Sequence, residues 1–228
     1  MIGSARSVLM YSPVDSGVVI PVPLAAYSFS EGAGLTSADV SGNGHTLTLN
    51  SSSWTTGHTG TGITNTTTGL GAGANLVAPG AAITMMAWIQ PLELTPGGSR
   101  IALGTFQTGG NTAVAIFTQR GDFGSPNVLQ CDIRITSLQA FHGPALTVGV
   151  WTHVALTYDG AQVCLYVNGS LYTSGAATGA VSTGDVLTVA GNDPGNSYDS
   201  DVTVDDVRIF DVALTAEQVS LAMSTPVA

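Results

Sequence analysis

The sequence predicts an all-β sandwich with one short helix near its C-terminus. Three observations predict it. Apolar and polar residues alternate with period two along most of the chain. Clusters of Gly, Asn, Asp and Pro, among them 29 glycines, cut that alternation into short segments. Only Thr215-Ala216-Glu217-Gln218 carries a helix-start signal, a capping box followed by an amphipathic turn with Leu214, Val219 and Leu221. At 228 residues the chain suits a single domain with a full core.

In chain order the alternation predicts strands near 24–29, 45–49, 62–65, 83–90, 100–106, 112–118, 128–136, 150–158, 162–168, 186–190 and 202–210. The run at 83–90 is almost wholly apolar, which places Trp88 in the core. In 150–158, Trp151, His153 and Ala155 alternate with Val154, Leu156 and Tyr158, a strand packed on both sides with Trp151 also in the core. Tyr158-Asp159-Gly160 turns the chain into the next strand, and Asn168-Gly169 is a second hairpin turn. Trp54 falls in a Ser/Thr-rich loop. In the last strand Val204 and Val207 both read as buried but lie three apart, so a bulge is expected at Asp205-Asp206. Residues 1–23, punctuated by Pro13, Pro21 and Pro23, stand apart as an arm that either docks on a partner or adds an edge strand. The domain proper spans 24–221, and 222–228 form a tail.

Charge narrows the partners. Only 9% of residues are charged and the net charge is −10. All five basic residues are arginines, at positions 6, 100, 120, 134 and 208, too scattered for a phosphate-binding surface. Nucleic acid and anionic membranes are therefore not expected partners. A Thr/Ser/Asn/Gly surface with so little charge tends to associate, which suits an assembly or a homo-oligomer. No apolar run matches a signal-peptide core or a membrane span. Cys131 shares parity with core residues and Cys164 has the opposite parity to its apolar neighbours, which speaks against a bridge.

Five segments then point to a family. "LAAYSFSEGAG" (24–34), "DVSGNGHTLTL" (39–49), "ITMMAWIQP" (83–91), "GVWTHVALTYDGAQVCLYVNG" (149–169) and "VDDVRIFDVALTAEQV" (204–219) occur in the order found in LamG-like domains. The resemblance covers about 24–221. It implies a jelly roll of two antiparallel sheets of the concanavalin A-like lectin/glucanase group, with first and last strands adjacent.

The glycine-rich stretch 39–45 opens a strand, so it is not a phosphate loop. Asp39 and Asn43 offer side-chain oxygens, and Gly42 and Gly44 let backbone carbonyls turn inward. In the family resembled, some members hold a structural calcium (Ca2+) between this place and the last strand, which implies Asp39, Asn43 and Asp205, with Glu31 more distant. The other reading is a hydrogen-bonded turn in which Asp39 caps backbone amides. Sugar sites on such folds combine an aromatic platform with Asn, Asp and backbone groups on rim loops. The candidate loops 119–127, 139–144 and 191–201 supply Phe123, Phe141, Tyr198, His142, Asp193 and Asn196. Glycoside hydrolysis needs two close carboxylates. Glu31, Glu93 and Glu217 lie far apart in sequence, and Asp205 and Asp206 are adjacent, so catalysis is not expected. LamG-like domains occur in bacteriophage minor tail and decoration proteins. The expectation is a non-catalytic virion protein that binds host-surface glycans and meets other virion proteins, or copies of itself, through residues 1–23. The alternatives are a free extracellular lectin module and, more remotely, a glucanase-like enzyme.

Overall fold

The computed structural model describes residues 17–67, 71–77, 80–94, 99–107, 110–120, 128–191 and 200–228. In chain order the elements are β1 (Ala25–Tyr27), β2 (Thr36–Ser37), β3 (Leu47–Leu49), β4 (Ser53–Thr56), β5 (Thr61–Asn65), β6 (Ala72–Asn75), β7 (Ile83–Pro91) and β8 (Ser99–Phe106). They continue with β9 (Thr112–Arg120), β10 (Val128–Arg134), β11 (Leu138–Ala145), β12 (Thr152–Tyr158), β13 (Gln162–Val167), β14 (Ser170–Ala176), β15 (Val186–Val189), β16 (Val202–Phe210) and the helix α1 (Ala216–Ser224). They form two eight-stranded antiparallel sheets, the jelly-roll sandwich expected.

The first sheet runs β14-β13-β12-β7-β16-β5-β4, with β1 also paired to β16. First and last strands are therefore neighbours, Ala25 opposite Ile209 and Tyr27 opposite Val207. The second sheet runs β11-β10-β9-β8-β15-β6-β3-β2. Alternate side chains from both sheets meet in one core that includes Leu47, Leu49, Ile63, Met85, Ile89, Val114, Ile116, Cys131, Leu156, Val204 and Ile209. Burying these side chains at roughly 1.5–3 kcal/mol each is the main force holding the sheets together.

Several long strands are buried on both faces because each sheet is covered outside as well. On the first sheet α1 does this, packing Leu214, Val219 and Ala222 against Met86, Ala155, Tyr166 and Phe210. Thr215 caps the helix as the sequence predicts: its hydroxyl accepts from the Gln218 amide while the Gln218 side chain accepts from the Thr215 amide. At the other end Arg208 donates to the carbonyls of Ala222 (2.7 Å) and Thr225, supplying the positive charge that the last turn lacks. The second sheet carries a separate outer cluster of Ile101, Phe106, Ala115 and Phe117.

The structure corrects several expectations. Five strands were not expected: β2, β4, β6, β11 and β14. The segment read as loop 139–144 lies inside β11 and pairs with β10. Trp54 is on β4, where its indole N–H donates to the Gly34 carbonyl at 2.8 Å. Trp88 and Trp151 are only half buried. Both lie outside the core, because beyond α1 no helix among the described residues covers the outer face of the first sheet. The described part of the arm is tied to the body: Val19 accepts from Gln218 at 2.8 Å and Ile20 packs on the cluster under α1. Residues 1–16 lie outside the description. Cys131 and Cys164 are both free. No helix among the described residues is long and apolar enough to cross a membrane.

Candidate functional site

Asp39 closes its own loop. One carboxylate oxygen accepts the amides of Ala26 (3.0 Å) and Ser41 (2.9 Å), and the other accepts that of His45 (3.0 Å). Burial alone would raise its pKa, but the bonds from Ser41, Ala26 and His45 outweigh that and hold it below the ordinary value. Asn43 directs its amide nitrogen at the carbonyls of Pro23 (3.2 Å) and Leu24 (3.0 Å). Glu31 closes the preceding turn through the Ala38 amide and the Ser37 hydroxyl. Gly42 and Gly44 take φ of +87° and +84°, a backbone that only glycine adopts freely.

Asp205 belongs to a different network. It accepts the Thr59 amide at 2.9 Å in the β4–β5 turn and sits opposite Trp88. Asp39 is instead anchored at Ala26, which pairs with Arg208, three positions and roughly 10 Å further along β16. The residues considered for calcium therefore do not converge. Asp39 spends its oxygens on backbone amides, Asn43 presents a donor, and Asp205 holds another turn. Among the described residues no three His, Cys, Asp or Glu side chains gather as a metal cluster. Replacing Asp39 by alanine leaves three amides without their acceptor. The expected loss is about 2–3 kcal/mol of unfolding free energy, measured by urea titration.

The expected bulge at Asp205-Asp206 is present. The β16–β7 register shifts between Asp205 and Arg208, and Asp206 takes φ +48°. Around it stands a cluster that the sequence did not suggest. His58, on the turn held by Asp205, stacks face-on upon Trp88 at 3.6 Å and meets Trp151 edge-on at 5.8 Å. His153 meets Trp88 edge-on at 5.3 Å. Burial pushes the His153 pKa down to about 3 and the Asp205 pKa up to about 6. Gly57 permits this closeness, since a Cβ there would stand 2.5 Å from an Asp205 oxygen. The cluster is a packed support for the turn.

The outer face of the second sheet is exposed and polar at its β2–β3 edge, whereas Thr188, Ala115 and Asp132 further along it are buried. Strand pairing sets Thr36, Thr48, Gly73, Thr188, Gly104, Ala115, Asp132 and Ala140 in one row across all eight strands. At its β3–β6–β15 end is an open trough of about 410 Å³, lined by Thr46, Thr48, Asn50, Gly73, Asn75 and Val186 among others. Thr46, Thr48 and Asn50 are exposed because Leu47 and Leu49 between them turn into the core. Among the described residues the trough is lined by hydroxyls and amides and by no charged side chain.

At the β9–β10–β11 end the same face carries a buried ion pair. Arg120 binds one oxygen of Asp132 and lies 4.6 Å over the Phe117 ring, while Gln130 donates to the other Asp132 oxygen at 2.8 Å. His142, exposed, stands opposite Gln130 and so on this face. Phe141 faces the other way, packed on the core and over Gly175, so it is no sugar platform. Phe123, Asp193, Asn196 and Tyr198 lie outside the described residues.

A model of the family Laminin_G_3, described as the concanavalin A-like lectin/glucanases superfamily, matches residues 64–220. The chain belongs to this family. No curated protein matches it by sequence. Among solved structures, domain 4 of the extracellular GH43 arabinanase AbnA from Geobacillus stearothermophilus, in complex with arabinotriose, is 21% identical with a TM-score of 0.63, covering 87% of this chain and 97% of that one. The binding domain of Paraclostridial Mosquitocidal Protein 1 is 13% identical with a TM-score of 0.66 over 88% of this chain. The chain spans about half of that one, 51%. Trypanosoma rangeli sialidase in complex with sialic acid is 16% identical, TM-score 0.66, over 91% of this chain and 34% of that one. At these identities the likeness is one of fold.

Within this Laminin_G_3 domain, sequence reasoning missed the trough, although "HTLTLN" carried its signal: polar residues alternating with core leucines. Only the pairing of β3 with β6 adds Gly73 and Asn75 beside them.

Proposed function

We propose that this Laminin_G_3 chain is a non-catalytic, carbohydrate-binding adhesion protein of a virion, a bacteriophage minor tail or head-decoration protein. The observation that carries the binding role is the trough at Thr46, Thr48, Asn50, Gly73 and Asn75. Neutral hydroxyls and amides on a rigid sheet suit a polyol, which offers both donors and acceptors and no charge. The virion setting is supported by the weakly charged composition of the chain. A free extracellular lectin module is the second reading, supported by the same trough.

A non-catalytic role is supported by the carboxylates. Glu31 closes a turn, Glu93 pairs with Arg100 at 3.5 Å, and Glu217 lies in the first turn of α1. Asp205 and Asp206 serve the β16 bulge.

The test is binding of the purified chain to bacterial cell-wall polysaccharide, with calcium and with chelator. Saturable binding is expected in both buffers, because Asp39 closes its loop on backbone amides. Asn50→Ala with Thr48→Val is expected to weaken it at least about tenfold, the loss of one or two polar contacts. Binding that chelator abolishes would restore a calcium role at 39–45. No binding in either buffer sinks the adhesion reading. Deleting residues 1–16 separates the two settings: a virion protein loses incorporation, whereas a free lectin keeps its binding.

A further inference from the structure

A second cavity, unconnected with the trough, lies where the first and last strands meet. It measures about 300 Å³ and is lined by Ser28, Ser30, Thr59, Gly60, Thr61, Asp206, Pro226 and Val227. Asp206 is the one charged group among its described lining residues. Its positive φ at the bulge takes it out of line with Asp205, whose carboxylate faces the β4–β5 turn instead. Asp206 is 6% exposed, and one of its oxygens accepts the Val227 amide at 2.8 Å.

The charges around Asp206 leave it undercompensated. Arg208 lies near enough to lower its pKa, but its guanidinium donates to the carbonyls of Ala222 and Thr225. His58, across the turn, is exposed and stacked on Trp88, and burial holds its own pKa below the ordinary value. Asp206 in turn raises the pKa of Asp205, the neighbouring acid. Burial keeps the Asp206 pKa above the usual carboxylate value despite the opposing effects of Val227, Arg208 and His58. A buried carboxylate in this position gains from an added cation.

The remaining lining defines that cation. Every side-chain polar atom of the lining residues is an oxygen. Ser28 donates to the Ser30 hydroxyl at 3.1 Å, which leaves Ser28 as an acceptor, and Thr61 donates to the Phe29 carbonyl. Calcium wants about 6–8 oxygens, and one carboxylate with a few hydroxyls falls short. An ammonium needs about three acceptors. Pro226, Val227 and the threonine methyls give an aliphatic wall, which suits an alkyl stem better than the hydroxyl-covered body of a sugar. The chain contains no lysine of its own and carries a net charge of −10, so such a group comes from elsewhere and is drawn in by charge.

We propose that this cavity receives a lysine side chain of a partner protein, with the ammonium on Asp206 and the stem along Pro226 and Val227. The site stands on its own geometry and holds whether or not the trough binds glycans.

The test uses the full chain, isotope-labelled, titrated at low salt with Nα-acetyl-lysine methylamide. Its norleucine counterpart, glucosamine and calcium serve as parallel probes. The amides of Thr59, Gly60 and Val227 are expected to shift saturably with the lysine probe and not with norleucine. Asp206→Asn is expected to weaken binding at least about tenfold, the scale of one charge-assisted hydrogen bond. Ser30 is exposed at the rim, so Ser30→Leu should block entry without disturbing the fold, and it decides the matter if Asp206→Asn fails to fold. Equal shifts with norleucine, unchanged binding in both variants, or shifts from glucosamine or calcium where the lysine probe gives none would each overturn the proposal.

Discussion

Replacing Asp132 by alanine is expected to lower the unfolding free energy by about 3–5 kcal/mol, the range for breaking a buried ion pair from one side. Asp132 is fully buried and Arg120 nearly so. The alanine variant leaves the guanidinium over Phe117 without the carboxylate and removes the acceptor of Gln130. The pair itself is a poor net source of stability, since both ions lose water. Removing both charges together, as Arg120→Met with Asp132→Leu, should therefore recover most of the loss. Urea denaturation of the two single variants and the double variant reads this directly. A single-variant loss below about 1 kcal/mol would show that solvent reaches the pair.

Removing the His153 imidazole is expected to reverse the response of the protein to acid. His153 is buried, its Nδ1 has no hydrogen-bond partner, and its pKa falls to about 3 through burial first, then Arg208 and His58. A depressed histidine contributes stability that is complete above its unfolded value of 6.5 and is lost as pH falls toward 3. The rate is about 1.4 kcal/mol per pH unit. Asp205 works the other way. Its pKa is raised to about 6 by burial, with Asp206 adding to the rise, so its stabilising effect is present below 3.8 and disappears as pH climbs through 6. The two oppose each other between pH 3.8 and about 6 and flatten the wild-type profile there.

His153→Leu removes one side of this balance. Between pH 6.5 and 4.5 it should gain on the wild type by about 2–3 kcal/mol, from two units at the rate above. Its own stability should rise on acidification, driven by Asp205. Chemical denaturation across that window checks both statements. Parallel wild-type and variant profiles would mean that His153 protonates freely in the native state.

The long strands were legible because their residues carry the pattern locally. β7, β12 and β16 are dense in Val, Ile, Leu and Met, and each lies close to where alternation puts it. The capping box of α1 and the bulge of β16 were equally local. The missed strands share a different character. β4 (SWTT), β6 (AGAN), β11 (LQAFHGPA) and β14 (SLYTSGA) are made mostly of small or polar residues, with single large side chains between them. They are strands because a neighbour supplies their hydrogen bonds, not because of propensity.

The site follows the same division. The Asp39 loop could be read as a hydrogen-bonded turn, since aspartate followed by glycines favours one by itself. The placement of Trp88 could not. An apolar run says that a strand is buried, but it does not say which face a helix leaves bare. His58 stacks on Trp88 across 30 residues of chain, and Asp205 reaches Thr59 across 146. The sequence alone determined the sandwich, its family and the leucine–threonine alternation of β3, because period and turn chemistry act between near neighbours. Tertiary structure decided the trough, the His58–Trp88–Trp151 stack, the Arg120–Asp132 pair and the Asp206 cavity. Each of these depends on register between strands distant in sequence, and that register is set by packing of the whole core.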